Sequence, residues 1–230
     1  MIGIVGAMEE EVSAICELMD IQNKKSQNGY VFYEGKMANK DVVVLQGGIG
    51  KVNAAIAMSL LFHLYDIDIV INIGSAGGLK MNQEVGDVVI STRVAHHDVD
   101  VTAFGRELGE VPGLPLYFEA DQELLNQVDA ILEESSLVHH KGLIVSGDQF
   151  ISQPVQVQRI QDSFPDAMCA EMEAAAVAQA CYVYNKRFII TRSLSDIFGK
   201  GDNDIQFDEY LKKASASSAK MCFELVKALH

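Results

Sequence analysis

Four acidic residues, in three stretches of the sequence, have the residue types and settings for proton transfer. They are Glu11 in GAMEEEV, the pair Glu171 and Glu173 in AEMEAAAVAQAC, and Asp196 near the end of RFIITRSLSDI. Two carboxyl groups on opposite sides of a pocket can cleave a glycosidic bond without a metal or a covalent nucleophile. One protonates the leaving group and the other activates water. Asp196 follows Phe188-Ile189-Ile190-Thr191, a continuous apolar run of the kind buried on both faces. Arg192, Ser193, Ser195 and Asp196 at its far end must therefore find partners or a ligand. Arg192 and Ser195 stand near enough to orient the Asp196 carboxyl or set its ionisation. The competing role for Asp196 is a cap or turn residue.

Glu9-Glu10-Glu11 opens a helix, where each acidic side chain complements the macrodipole by about 0.3–1 kcal/mol. The same charges repel phosphate from what is otherwise a natural anion site. Glu171 and Glu173 are two residues apart and so point to different sides of a helix. If one reaches a pocket, the other should not.

Several familiar motifs fail on inspection. Gly47-Gly48-Ile49-Gly50-Lys51 is no phosphate loop, because Leu45 replaces its first glycine and Val52 its Ser or Thr. Neither GIVGAM nor GSAGGL completes G-x-G-x-x-G, which argues against a dinucleotide-binding dehydrogenase. Ile73 stands where a nucleophile elbow needs glycine, leaving Ser75 as a hydrogen-bonding or turn residue. His96, His97, Asp98 and Asp100 lack a further well-spaced ligand and read as a polar loop, and His139-His140 reads as surface. No metal or cofactor is expected.

Apolar strands alternate with helical patterns along the chain. Strands are predicted at Ile2–Val5, Val31–Lys36, Val42–Leu45, Ile69–Ile73, Val88–Ser91, Gly142–Val145 and Phe188–Thr191. Helices are predicted near Glu9–Met19, Val52–Tyr65, Asp121–Glu134, Val155–Ser163, Glu173–Tyr184 and Phe207–Leu229. This alternation predicts an α/β fold with a largely parallel sheet covered on both faces. Six strands end in small or polar clusters: GAMEEE, QGGIGK, GSAGG, STRVAHHDVD, SGDQF and RSLSD. Ligands bind at the carboxyl ends of strands in open α/β sheets, so the six should converge on one pocket. The segment from Ala95 to Pro115 is the longest without pattern and reads as a lid or interface loop.

The 230 residues are enough for one well-cored domain, and no linker or repeat divides them. A net charge of -14 repels nucleic acid and anionic membranes, so neither is an expected partner. Four scattered cysteines without a C-x-x-C pair read as reduced thiols. MIGIVGAMEEE has no basic or long apolar leader, and no run approaches a membrane span. A soluble, cytoplasmic protein is expected.

The motifs GIVGAMEEEV, GGIGKVNAA, INIGSAGGL, VGDVVIS, HDVDVTAFG, GLIVSGDQFI, AEMEAAAVAQ and RSLSD together closely resemble the bacterial 5'-methylthioadenosine/S-adenosylhomocysteine nucleosidases, a family within the nucleoside phosphorylase superfamily. The likeness runs in order from Ile2 to the last helix. It implies a single nucleosidase domain over residues 1–230, a three-layer α/β/α subunit with a central twisted mixed sheet, and a homodimer.

By the same resemblance, Asp196 is the general acid to adenine N7, with Ser195 and Arg192 holding its carboxyl, and Glu11 deprotonates the attacking water. Glu173 binds the ribose hydroxyls. Phe150 stacks on adenine, the backbone of Ile151 reads its Watson–Crick edge, and Ser75, Gly77 and Met172 line the base and sugar pocket. Met8, Ile49, Phe207 and, from the other subunit, Phe104 enclose the 5'-alkylthio group. The implied substrates are 5'-methylthioadenosine, S-adenosylhomocysteine and 5'-deoxyadenosine. Gly47, Ile73, His96, Arg106, Leu108 and Ser193 depart from residues common in the family, and three of these lie in the loop bordering the 5'-tail. They leave the order of preference among the three substrates open. Competing readings are a purine nucleoside phosphorylase, a futalosine-type nucleosidase and a silent nucleoside-binding protein.

Overall fold

The structure is a computed structural model describing residues 1–135, 137–200 and 203–229. Its first half alternates strand and helix: β1 (Ile2–Gly6), α1 (Glu9–Cys16), β2 (Asp20–Gln27), β3 (Tyr30–Met37), β4 (Lys40–Gln46) and α2 (Lys51–Leu64). Then come β5 (Ile69–Asn72), β6 (Ser75–Gly78), β7 (Val88–His96), a single 3-10 turn at Thr102–Phe104, β8 (Phe118–Glu119) and α3 (Gln122–Ser135). The chain finishes with β9 (His139–Ser146), α4 (Pro154–Ser163), β10 (Ala167–Glu171), α5 (Ala174–Val183), β11 (Arg187–Ile197) and α6 (Asn203–Ala228).

All described strands join one mixed sheet in the order β2-β3-β4-β1-β5-β11-β6-β10-β9-β7-β8. Side chains alternate faces along a strand, so each row across the sheet serves one layer. Ile189, Ile71, Ile4 and Val44 lie in register and pack against α1, α3 and α6. The next row, Ile190, Val5 and Leu45, packs on the opposite side with Ala57, Met58 and Leu61 of α2 and the alanines of α5. The result is the expected three-layer α/β/α arrangement.

Strand β11 does more than the predicted Phe188–Thr191. Its first part pairs with β5, Thr191–Ser193 pair antiparallel with β7, and Ser193–Ile197 pair with β6. The β11–β7 pairing closes β11, β6, β10, β9 and β7 into a ring. β7 likewise outruns its prediction and reaches His96, so part of STRVAHHDVD is strand and not a strand-end cluster.

Candidate active site

Five of the six expected clusters meet at one cavity of about 320 Å³ at the strand ends. Residues of STRVAHHDVD do not line it. From the segment after β1 come Met8 and Glu11; from the end of β4, Ile49; from β6, Ser75 and Gly77. Phe150 and Ile151 follow β9, Met172 and Glu173 bridge β10 to α5, Arg192, Ser195 and Asp196 come from β11, and Phe207 from α6. Phe104 is the only predicted site residue outside the cavity of its own chain, and it is 85% exposed.

Asp196 is buried at 2% exposure, and Ser195 Oγ donates to its Oδ1 at 2.8 Å. Consecutive strand residues normally face opposite ways. Here the register slips between Leu194 and Asp196, leaving Ser195 as an extra residue in a bulge against β6. A bulge re-aims side chains locally, which lets Ser195 brace its own neighbour. Gly77 sits opposite Asp196, and a Cβ there would lie 3.0 Å from Oδ2, so the absence of a side chain leaves the carboxyl its room.

Glu11 is also buried. Its Oε2 accepts hydrogen bonds from the backbone N–H groups of Ala7 (2.7 Å) and Met8 (3.1 Å), and its Oε1 from Ser75 N–H (3.2 Å). Burial pushes its carboxyl above the ordinary range, while those donors and the Arg192 charge pull the other way. Glu173 Oε1 accepts from Gly50 N–H at 2.8 Å, a contact reached because Gly50 adopts φ +94, a conformation open to glycine. Burial first, and the neighbouring Glu171 second, push Glu173 up to about 8.

Two expectations are corrected. Arg192 does not hold Asp196. Its Nε and Nη2 donate to Glu171 Oε2 (3.2 and 2.7 Å), Nη2 also donates to Asn72 Oδ1 (2.7 Å), and Nη1 donates to the carbonyls of Thr191 (2.9 Å) and Asn72 (3.4 Å). A guanidinium has five N–H groups, and these five contacts occupy them. Glu171 and Glu173 both line the cavity, although only one was expected to reach it. Helical geometry does not apply to them, since Glu171 ends β10 and Glu173 caps α5.

What sequence reasoning missed is mainly the contacts beneath the site. Glu171 accepts from Arg192, from Ser146 Oγ and from the backbone N–H groups of Glu173 and Ala174. Asn72 was legible as the one polar residue in the IVIN strand, yet nothing local tied it to Arg192. Gln149, Leu79 and Phe198 also line the cavity. Arg106 pairs with Glu110 in its own loop and does not line the cavity.

This carboxylate-lined site on a three-layer mixed sheet is that of a phosphorylase-superfamily protein, and the family model described as "Phosphorylase superfamily" matches residues 1–229. The 5'-methylthioadenosine/S-adenosylhomocysteine nucleosidase of Exiguobacterium sp. (strain ATCC BAA-1283 / AT1b) is 48% identical over 229 residues, covering 99% of this chain and 98% of that protein. The crystal structure of the nucleosidase of that name from Neisseria meningitidis, in complex with methylthio-immucillin-A, matches with a TM-score of 0.95 and 44% identity over 99% of each chain. Futalosine hydrolase of Helicobacter pylori matches with a TM-score of 0.94 but 30% identity, over 99% of this chain and 97% of that one. The chain belongs to the phosphorylase superfamily and, within it, to the 5'-methylthioadenosine/S-adenosylhomocysteine nucleosidase family.

Proposed function

We propose that the protein irreversibly hydrolyses the N-glycosidic bond of 5'-methylthioadenosine and S-adenosylhomocysteine, and of 5'-deoxyadenosine, releasing adenine and the 5-substituted ribose. Its place is methionine salvage and S-adenosylhomocysteine recycling in the cytoplasm. The full-length likeness to nucleosidases, one of them bound to a methylthio-immucillin, supports the substrate class.

The observation that carries hydrolysis over phosphorolysis is the state of the site's anion-binding groups. Three helix N-termini open toward the cavity, and such termini ordinarily attract phosphate. Each already holds a carboxylate: Glu11 at α1, Glu173 with Asp148 at α2, and Glu171 at α5. The Arg192 donors are spent as well. A phosphate entering here would face carboxyl groups at all three termini and, among the described residues lining the cavity, no cation with donors to spare, whereas neutral water is unopposed.

In the proposed reaction Asp196 gives its proton to N7 of adenine as the C1'–N9 bond breaks, so the base departs neutral. Ser195 holds that carboxyl in line. Water adds to C1' while Glu11 takes its proton, and a carboxyl raised by burial is the stronger base. Arg192 fixes Glu171 and thereby the start of α5, so its role is structural support and not contact with Asp196. Glu173 hydrogen-bonds the ribose hydroxyls, and its ionised form, which the raised carboxyl reaches only near pH 8 before substrate enters, would stabilise the oxocarbenium-like sugar.

Phe150, whose ring meets Phe207 edge-on at 5.9 Å and 78°, provides the stacking face for adenine. The Ile151 backbone faces the base edge, and Ser75, Gly77 and Met172 line the base and sugar. Met8, Ile49 and Phe207 suit a thioether, which is polarizable and poorly hydrated. A homodimer would add the partner subunit's Phe104 to that apolar end. Exposed Phe104, and Val52 and Ile56 on α2, are consistent with such an interface.

The test is adenine release from 5'-methylthioadenosine in phosphate-free buffer, with Asp196→Asn as control and futalosine as a comparison substrate. Release that is independent of phosphate and lost in the variant is expected. Release only with phosphate would make the protein a phosphorylase and overturn the role given to Glu11.

A further inference from the structure

Lys51 and Asp98 do not line the cavity and take no part in the chemistry above, yet they are shielded at 17% and 20% side-chain exposure. Asp98 Oδ1 accepts from Lys51 Nζ at 2.5 Å, and Asp98 Oδ2 accepts from the backbone N–H of Asp148 at 2.9 Å. Asp148 Oδ1 in turn accepts from the backbone N–H of Lys51 at 2.7 Å. Three bonds thus close a ring among three residues from three separate segments, those that follow β4, β7 and β9.

The ring stands directly beside the proposed substrate clamps. One residue before Lys51, Gly50 donates its N–H to Glu173, and Ile49 lines the cavity. Just after Asp148 come Gln149, Phe150 and Ile151, all cavity residues. Phe150 is half exposed; its aromatic ring meets Phe207, and Gln149 beside it accepts from Gln156, so the three-residue ring at Asp148 is the tie that joins this segment to the one after β4. An ion pair shielded from water and tied to backbone donors is stronger than a free surface pair. It can therefore hold two loops in one register.

We infer that Asp98 and Lys51 are positioning residues that lock the Ile49–Gly50 segment to the Phe150–Ile151 segment, and so set the gap into which the adenine and ribose fit. This rests on the nucleosidase reading for the identity of the ligand. The segment after β7, which places no residue in the cavity, thereby acquires a role: it supplies the carboxylate that ties its two neighbours together.

The experiment compares Lys51→Met, Asp98→Asn, Lys51→Arg and the Lys51→Met/Asp98→Asn double variant with the parent protein. The readouts are KM and kcat for 5'-methylthioadenosine, Kd for adenine, and the folded fraction by circular dichroism. Both neutral single variants keep the backbone N–H groups of the ring. KM and adenine Kd should rise about tenfold while kcat stays within about threefold, because the lost interaction positions ligand and not the reacting groups. The double variant should be no worse than either single one, as expected for partners in one interaction. Lys51→Arg should recover most of the loss.

KM and adenine Kd within about twofold of the parent in both neutral variants would overturn the inference. A fall in kcat alone, tracking a lost folded fraction, would do so too. A parent protein that releases no adenine would sink the functional reading instead, and the adenine Kd values would still decide this one.

Discussion

Among the acids that line the cavity beside Asp196, Glu173 offers the cleanest test of what the site costs the fold. Its carboxyl is raised to about 8 by burial and by Glu171, so between the ordinary carboxylate range and pH 8 the folded state holds a proton that the unfolded chain has released. Stability from this group is therefore lost as pH rises through that window and is level above it. Glu173→Gln removes the charge that burial opposes. Thermal melts should place this variant above the parent at pH 8, by about 3 °C or more, and converge with it toward pH 4.5. Activity should fall at every pH. A variant that melts below the parent at pH 8 would contradict the assigned cause of the shift. Glu11 is raised in the same direction by burial, so Glu11→Gln should follow the same sign. The Arg192–Glu171 pair differs, since removing one partner of a buried pair leaves the other charged and alone, at a cost of about 3–5 kcal/mol.

At the scale of elements, the β11 bulge and the glycine opposite it decide where the acid points. Gly77→Ala would put a methyl group 3.0 Å from Asp196 Oδ2. We expect kcat to fall about 10- to 100-fold through a displaced carboxyl while the melting temperature changes little. An unchanged kcat would mean that the carboxyl has slack. Most of the scaffold was legible: the seven predicted strands and six helices all exist, most with ends shifted by a few residues, while β7 and β11 run on to His96 and Ile197. What escaped has physical reasons. β2, DIQNKKSQ, is a mostly exposed edge strand with no apolar pattern, although the Asn28-Gly29 turn joining it to β3, with φ 53 and 85, was a readable hairpin signal. β6, SAGG, reads as a turn because glycine is a turn residue, and only its neighbours β11 and β10 make it a strand. The bulge at Ser195 and the Arg192–Glu171 pair were not legible at all. Both are relations between distant segments that no local pattern encodes.

For the whole molecule, the -14 charge makes association between copies depend on apolar contact, because like charges must be brought together. If the proposed dimer forms, sedimentation at micromolar concentration should give one species of twice the 25.2 kDa chain mass, favoured by added salt. Phe104→Ala should then raise KM for 5'-methylthioadenosine more than Kd for adenine, since only the former carries the 5'-tail. A fully active monomer would remove the partner's Phe104 from the site. No described helix is long and apolar enough to cross a membrane.

The closing of β11 onto β7 bears on the order in which the molecule is assembled. β11 is the strand shared by the open part of the sheet and the ring, with Asp196 near its end, so it can be seated only when both are in place. The contacts it makes join residues about a hundred positions apart, and such non-local pairings form late because loop closure must come first. A chain emerging from synthesis or recovering from partial denaturation would thus lack its acid, and the Arg192 that braces Glu171, until β11 is seated. Half-built forms would be inert toward nucleosides, and turnover would report complete molecules only.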